Sequence, residues 1–242
     1  PVTVFVGPNN AGKSKVLQEI NRNCTSGVSH PSDVILDSLT YDEIPADKIP
    51  GITLGLTLPP DKNETIHPGH IIVGKHHRRL QVPQSEFDAS LRDPNTRSKH
   101  FCQWFLAMHT LMLDGKSRIT SGNEQTATDL QQLPQNFLDI LFREDTKRLG
   151  VRRIAYDAFD TYFVVDPTAL GKLRIRYSPV APKDHLEERG IHAEAVSFHS
   201  RALNIEEASD GVKAFTGIIT QIIAGDPSII LIDEPEAFLH PA

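Results

Sequence analysis

Cysteine, tryptophan, methionine and positive charge are all scarce in this sequence. Its 242 residues hold two cysteines, one tryptophan and two methionines. Cys24 and Cys102 fit no zinc-ligand spacing. Two lone thiols suit a reducing, cytoplasmic setting better than a disulfide framework, and both read as unpaired, partly buried side chains. No apolar run reaches 18 residues, so no segment is expected to cross a membrane. No secretory leader is expected within this sequence either, because Val2–Val6 leads straight into a glycine-rich loop. Lysine and arginine number 25 against 31 aspartates and glutamates, a net charge of −6. That balance argues against a surface that neutralises nucleic-acid phosphates over its whole extent. One local basic run remains, Lys75-His76-His77-Arg78-Arg79, which reads first as a solvated loop and second as a groove. His67, His70, His76 and His77 lack a cysteine or carboxylate at ligand spacing, so a metal site is not the expectation there. There is no internal repeat. Position 1 is proline and the first strand signal falls just before the loop, so the sequence reads as an excerpt of a longer chain, cut at both ends.

What is present is an alternation of strand and helix signals. Val2–Val6 is apolar and β-branched, as a buried parallel strand would be. Lys13 to about Asn23 has helical spacing at Val16, Leu17 and Ile20. Residues 25–50, rich in Ser, Asp and Pro, read as loop or peripheral structure. Gly51–Leu58 and Ile71–Val73 read as strands. Phe101, Trp104, Phe105, Met108, Leu111 and Met112 predict a helix over Arg97–Leu113, stopped at Gly115. Residues 116–133 are polar and read as mobile. A helix over Pro134–Leu149 and its continuation through Ile154–Phe159 come next, then strands at Tyr162–Val165 and Leu173–Tyr177. Ser178–Gly190 reads as loop. Asp210–Ala224 carries Val212, Phe215, Ile218, Ile219, Ile222 and Ile223 on one helical face, and Ser228–Ile232 is a second apolar strand. The expectation is an α/β fold: a mostly parallel sheet with helices on both faces and a lobe inserted over about residues 60–190.

Gly7-Pro8-Asn9-Asn10-Ala11-Gly12-Lys13-Ser14 matches the phosphate-loop pattern G-x-x-x-x-G-K-[ST] in full, in the strand–loop–helix context that the pattern needs. Gly7 and Gly12 allow backbone angles and close approach that a Cβ would block. The loop's N–H groups and the helix N-terminus then converge on phosphate. Lys13 would span the β- and γ-phosphates of ATP, and the Ser14 hydroxyl would be a magnesium ligand. A second motif stands at the end of the apolar run Ile229–Ile232. Asp233 would reach the same magnesium, and Glu234, one position on, is placed to orient and deprotonate an attacking water.

With both motifs in view, a resemblance emerges. Asp233-Glu234-Pro235-Glu236 followed by Leu239-His240-Pro241 resembles the D-E-P-E…L-H-P signature of ABC-type ATPases. Within these AAA-like ATP-binding proteins it is most similar to the OLD (overcoming lysogenization defect), RecF and SMC-like branch, of which Gly7-Pro8-Asn9-Asn10 is also typical. The resemblance covers residues 1–20 and 205–242. It implies a signature serine and glycine at a helix N-terminus upstream of the acidic strand, matched by Ser209 and Gly211, which would bind the ATP of a second protomer. Asp210 departs from the transporter pattern, so a transporter subunit is disfavoured; the bland alternative is that Ser209 only caps its helix. Gln81 and Gln84 are candidates for the γ-phosphate-sensing glutamine. The resemblance thus implies a magnesium-dependent ATPase that works as a head-to-tail homodimer or higher oligomer. Its expected partners are DNA and a nuclease domain or partner protein, with a role such as defence against phage. The alternatives are a DNA-repair or chromosome-maintenance ATPase and a non-hydrolysing, ATP-switched module.

Overall fold

The computed structural model describes residues 2–7, 11–61, 64–75 and 78–237. Pro8, Asn9, Asn10, His76, His77 and the Leu239-His240-Pro241 motif lie outside the described residues. The chain runs through α1 (Lys13–Ser26), α2 (Ile49–Leu56), β1 (His70–Lys75), β2 (Arg78–Pro83), α3 (Gln84–Arg92), α4 (Ser98–Phe101), α5 (Ala107–His109) and β3 (Thr110–Leu113). It continues with α6 (Gly115–Thr120), β4 (Gln125–Thr126), α7 (Phe137–Arg143), α8 (Asp145–Phe159), β5 (Tyr162–Asp166) and β6 (Lys172–Ser178). The last elements are α9 (His185–Arg189), α10 (Ala193–Ser200), β7 (Leu203–Asn204), α11 (Asp210–Gly225) and β8 (Ile229–Ile232). The fold is α/β, with a parallel pair, β3 and β8, flanked by helices. The chain divides into two units, residues 1–112 with 227–233, and residues 113–226 with 234–242.

In the first unit the core gathers Ile49, Leu56, Val73, Val82, Phe87, Leu91, Phe101, Cys102 and Met108. The β1–β2 hairpin is antiparallel, with Val73 opposite Leu80. Gly51–Leu58 is expected as a strand, but Gly51–Leu56 is helical and only Thr57, which bridges Val73 in antiparallel fashion, has strand pairing. Pro50 occupies the first turn of α2, where it is preorganised. Ile49, Thr53 and Leu56 are buried at helical spacing, and Thr53 donates to Asp88 on α3 at 2.6 Å. The expected helix over Arg97–Leu113 ends at His109. It widens into a π turn over Cys102–Leu106, and Thr110–Leu113 leaves it to become the partner of β8. Val2–Val6 is not a strand: Val2 and Val6 are 93% and 86% exposed. A strand exists only where a neighbour takes up its N–H and C=O groups, and among the described residues none pairs with this segment. Cys24 and Cys102 are both buried free thiols. Burial, with Cys102 nearby, raises the Cys24 thiol to about 11.

The second unit is built on an antiparallel sheet ordered β4-β6-β5, with β7 on β6. β6 alternates: Leu173, Ile175 and Tyr177 enter the core, while Arg174 and Arg176 both reach the buried Asp166, at 2.8 and 2.6 Å. α7, α8 and α11 cover the apolar face, where Leu138, Leu141, Val151, Phe163, Ile175 and Ile219 meet. The expected helix over Pro134–Leu149 is in fact two helices. Asn136 caps α7 by accepting from the Asp139 N–H, and the chain turns through extended backbone at Glu144 before α8. Residues 116–133, expected to be mobile, contain α6, whose N-cap Asp114 and Ser117 form a reciprocal capping box. The segment read as loop over Ser178–Gly190 contains α9, capped by Asp184. No helix among the described residues is long and apolar enough to cross a membrane.

Candidate functional site

Gly12 is the N-cap of α1; its φ of 83° is left-handed and its missing Cβ leaves room for Ile35 Cδ1, 2.9 Å from where that atom would be. A side chain here would be strained and would displace Ile35. Lys13 Nζ donates to the Gly7 carbonyl at 2.7 Å, closing the loop on itself. The Ser14 hydroxyl, on the next residue of α1, donates to Asp233 Oδ1 at 2.8 Å. These two residues are 219 positions apart and lie in the same unit. A hydroxyl beside a carboxylate is an oxygen-only donor pair, which suits a hard cation such as magnesium that keeps phosphate and water oxygens as its other ligands. Gly7 and Ala11 are exposed and Ser14 and Asp233 half-buried, so the pair is open to a ligand.

Glu19, on the same helix, is fully buried, and sequence reasoning passed over it. Its carboxylate accepts the backbone N–H groups of Val34, Ile35 and Leu36 at 2.9, 3.0 and 2.7 Å. This fixes the segment that carries Ile35 against the glycine loop. Burial raises the Glu19 carboxyl, but the three N–H bonds and Lys15 outweigh it, and the net direction is below the ordinary 4.5. A carboxyl lowered on folding stabilises above its unfolded value and loses that contribution as pH falls through its folded one. Glu19→Gln is therefore expected to melt at a lower temperature than the parent at pH 7. The gap between the two melting temperatures should close as pH falls below the ordinary 4.5; calorimetric scans at pH 7 and pH 3.5 would check it.

Glu234 follows Asp233 directly and is exposed. Its backbone is left-handed, with φ 48°, and its carbonyl accepts the Ala237 N–H at 2.9 Å. In the second unit Ser209 is the N-cap of α11. Its hydroxyl accepts the Val212 N–H at 3.4 Å, and Gly211 lies in the first turn. Asp210, the residue that departs from the transporter signature, lies 3.6 Å from Lys213, so its charge is partly offset in place. Ser209 also borders a cavity of about 470 Å³ whose walls include Phe159, Tyr177, Leu203 and Val212. Gln81 donates to the Thr65 carbonyl, and Gln84 opens α3. Among the described residues no three His, Cys, Asp or Glu side chains gather as a metal site.

A glycine loop opening a helix, its serine bonded to an aspartate at the end of a strand in a parallel pair, belongs to the P-loop NTPase fold. The family described as "AAA domain, putative AbiEii toxin, Type IV TA system" matches residues 95–242. That is more than half of the chain, and the chain belongs to this family. The matched span takes in Ser209, Gly211, Asp233 and Glu234; the glycine loop precedes it. An AAA domain points to ATP binding and hydrolysis. No curated protein and no solved structure matches the chain.

Proposed function

We propose that this chain binds ATP with magnesium at Gly7–Ser14 and Asp233 and hydrolyses it with Glu234 as general base. The observation that carries the reading is the Ser14–Asp233 hydrogen bond at 2.8 Å, which joins the two halves of the motif across the chain. Gly7, Pro8, Asn9, Asn10, Ala11 and Gly12 form the phosphate cradle. Lys13 neutralises the β- and γ-phosphates. Ser14 and Asp233 would hold the magnesium ion, which would supply charge neutralisation on the phosphate oxygens. Glu234 accepts the proton of the attacking water, a task for which an exposed carboxylate next to the magnesium ligand is suited. Ser209 and Gly211, at the positive end of a 16-residue helix, meet the γ-phosphate held by a second copy, so the working unit is a head-to-tail pair.

In this reading the chain is an OLD-like engine that drives a DNA-directed effector, a nuclease domain or partner in phage defence. A second reading draws on the family's printed description, a putative toxin of a type IV toxin–antitoxin system; growth arrest on expression of the chain would favour it. The first test is phosphate release from magnesium-ATP, with and without DNA. Lys13→Ala is expected to lower ATP affinity about 10- to 100-fold, the worth of one charge-assisted hydrogen bond. Unchanged binding by calorimetry would remove the glycine loop from the site.

A further inference from the structure

We infer that Arg118 is a positioning residue for Glu234, holding the backbone that aims the proposed base. The inference rests on the proposed hydrolysis and names a residue on which that reaction depends. Arg118 lies on α6 and is fully buried. Its Nη2 donates to the Glu234 carbonyl at 2.9 Å, and its Nη1 lies 3.3 Å from the Pro235 carbonyl. Its Nε donates to the Asp114 carbonyl at the start of the same helix, at 3.2 Å. One planar guanidinium therefore ties the start of α6 to two consecutive carbonyls beyond the acidic strand. A fork of fixed geometry can do this where a lysine ammonium, a single point donor, cannot.

The second observation is the backbone of Glu234. A glutamate at φ 48° is in a region that side chains with a Cβ rarely adopt. Among the described residues, the other two non-glycine residues with positive φ, Asp160 and Asp226, are helix C-caps, where such a turn is ordinary. Glu234 caps no helix among the described residues. Strained backbone of this kind persists only where its surroundings over-determine it, and it concentrates at functional sites. Arg118 and the Ala237 N–H both bind the carbonyl that defines this turn.

The third observation is what stands behind Arg118. A Cβ on Gly217 would lie 2.0 Å from the Arg118 carbonyl oxygen, so α11 packs backbone to backbone on α6 at this point. The Ser209 end of α11 and the Glu234 turn are thus joined through one rigid helix and one arginine, all within the second unit. A shift of α11 would move Arg118 and, through it, the Glu234 backbone.

The test uses Arg118→Lys in the full chain, with Glu234→Gln as reference and ATP binding measured apart from turnover. Expected is a fall in kcat of about 100-fold, the cost of displacing a catalytic group by about 1 Å, with ATP affinity within twofold of the parent. Arg118→Lys should add little in the Glu234→Gln background, because both changes disable one unit. Guanidinium ion at millimolar concentration should restore part of the activity of Arg118→Ala. Gly217→Ala should reproduce a smaller kcat loss. Parent-like turnover in Arg118→Lys would overturn the inference. So would an equal loss in the Glu234→Gln background, or a loss of binding in step with turnover. Hydrogen exchange over 233–237 speaks to Arg118 whether or not ATP is hydrolysed. It should quicken at least about tenfold in Arg118→Lys, and unchanged exchange overturns the role. If Glu234→Gln left turnover intact while this exchange quickened, the proposed base would fall and the Arg118 tie would stand.

Discussion

Replacing Glu234 by glutamine is expected to cut ATP turnover by about 10²- to 10⁴-fold while ATP binding is retained. The amide keeps the size and one acceptor of the carboxylate but cannot take a proton at neutral pH. Lys13 and its bond to Gly7, Ser14 and its bond to Asp233 are untouched by the change. The cradle should therefore fill as before, and the loss should appear in kcat rather than in affinity. A head-to-tail pair held by two nucleotides would also live longer in this variant, visible as an ATP-dependent dimer by light scattering. Turnover within twofold of the parent would assign the base to another residue.

Phe163→Ala is expected to cost about 3–5 kcal/mol of stability in the second unit. Phe163 is fully buried on β5, in the cluster with Leu138, Leu141, Val151 and Ile175, and its ring stands edge-on to that of Tyr177, with centroids 6.3 Å apart. It sits opposite Tyr177 in the β5–β6 register, so removing it opens a void between a strand and the helices above it. The loss of dispersion contacts then adds to the lost transfer free energy. At roughly 2–4 °C per kcal/mol for a chain of this size, thermal scans should show the second unit melting about 10 °C earlier. Leu170→Ala, at a residue 79% exposed, is the matched control and should shift stability by no more than about 0.5 kcal/mol. A shift of similar size for both would mean that Phe163 does not anchor the core.

The elements that the sequence revealed are those whose period is unambiguous. α11 has an apolar stripe of four turns and a serine cap, and β8 is a β-branched run between a turn and two acids. β6 buries Leu173, Ile175 and Tyr177 at every second position, and β5 is a continuous buried run from Phe163 to Asp166. Gly51–Leu58 misleads because an eight-residue apolar run with glycines fits either period, and only the burial of Ile49, Thr53 and Leu56 on one side decides for helix. Thr110–Leu113 continues the helical stripe in sequence but pairs with β8 in space, where tertiary hydrogen bonding overrides local preference. Val2–Val6 has the composition of a strand, and composition cannot supply a partner.

The candidate site divides in the same way. Gly7–Ser14 and Asp233-Glu234 were legible because each is a contiguous motif. The bond that joins them follows from packing α1 near β8. Arg118 was illegible: it is one arginine in a polar stretch, and the two acceptors that matter to Glu234 lie 116 and 117 positions away. Glu19 was hidden because a glutamate on a helix reads as solvated; what makes it structural is the row of three amides at Val34, Ile35 and Leu36.

The two sealed thiols have a practical consequence for testing whether copies pair. With Cys24 raised to about 11 and Cys102 also raised by burial, neither offers an appreciable thiolate to maleimides at neutral pH. The chain is thus a ready background for spectroscopic labels. A single cysteine introduced at Ile191, 63% exposed on the second unit, would react alone. A spin label there would test the proposed head-to-tail pair: a distance between two copies that appears only with ATP supports it, and its absence counts against it.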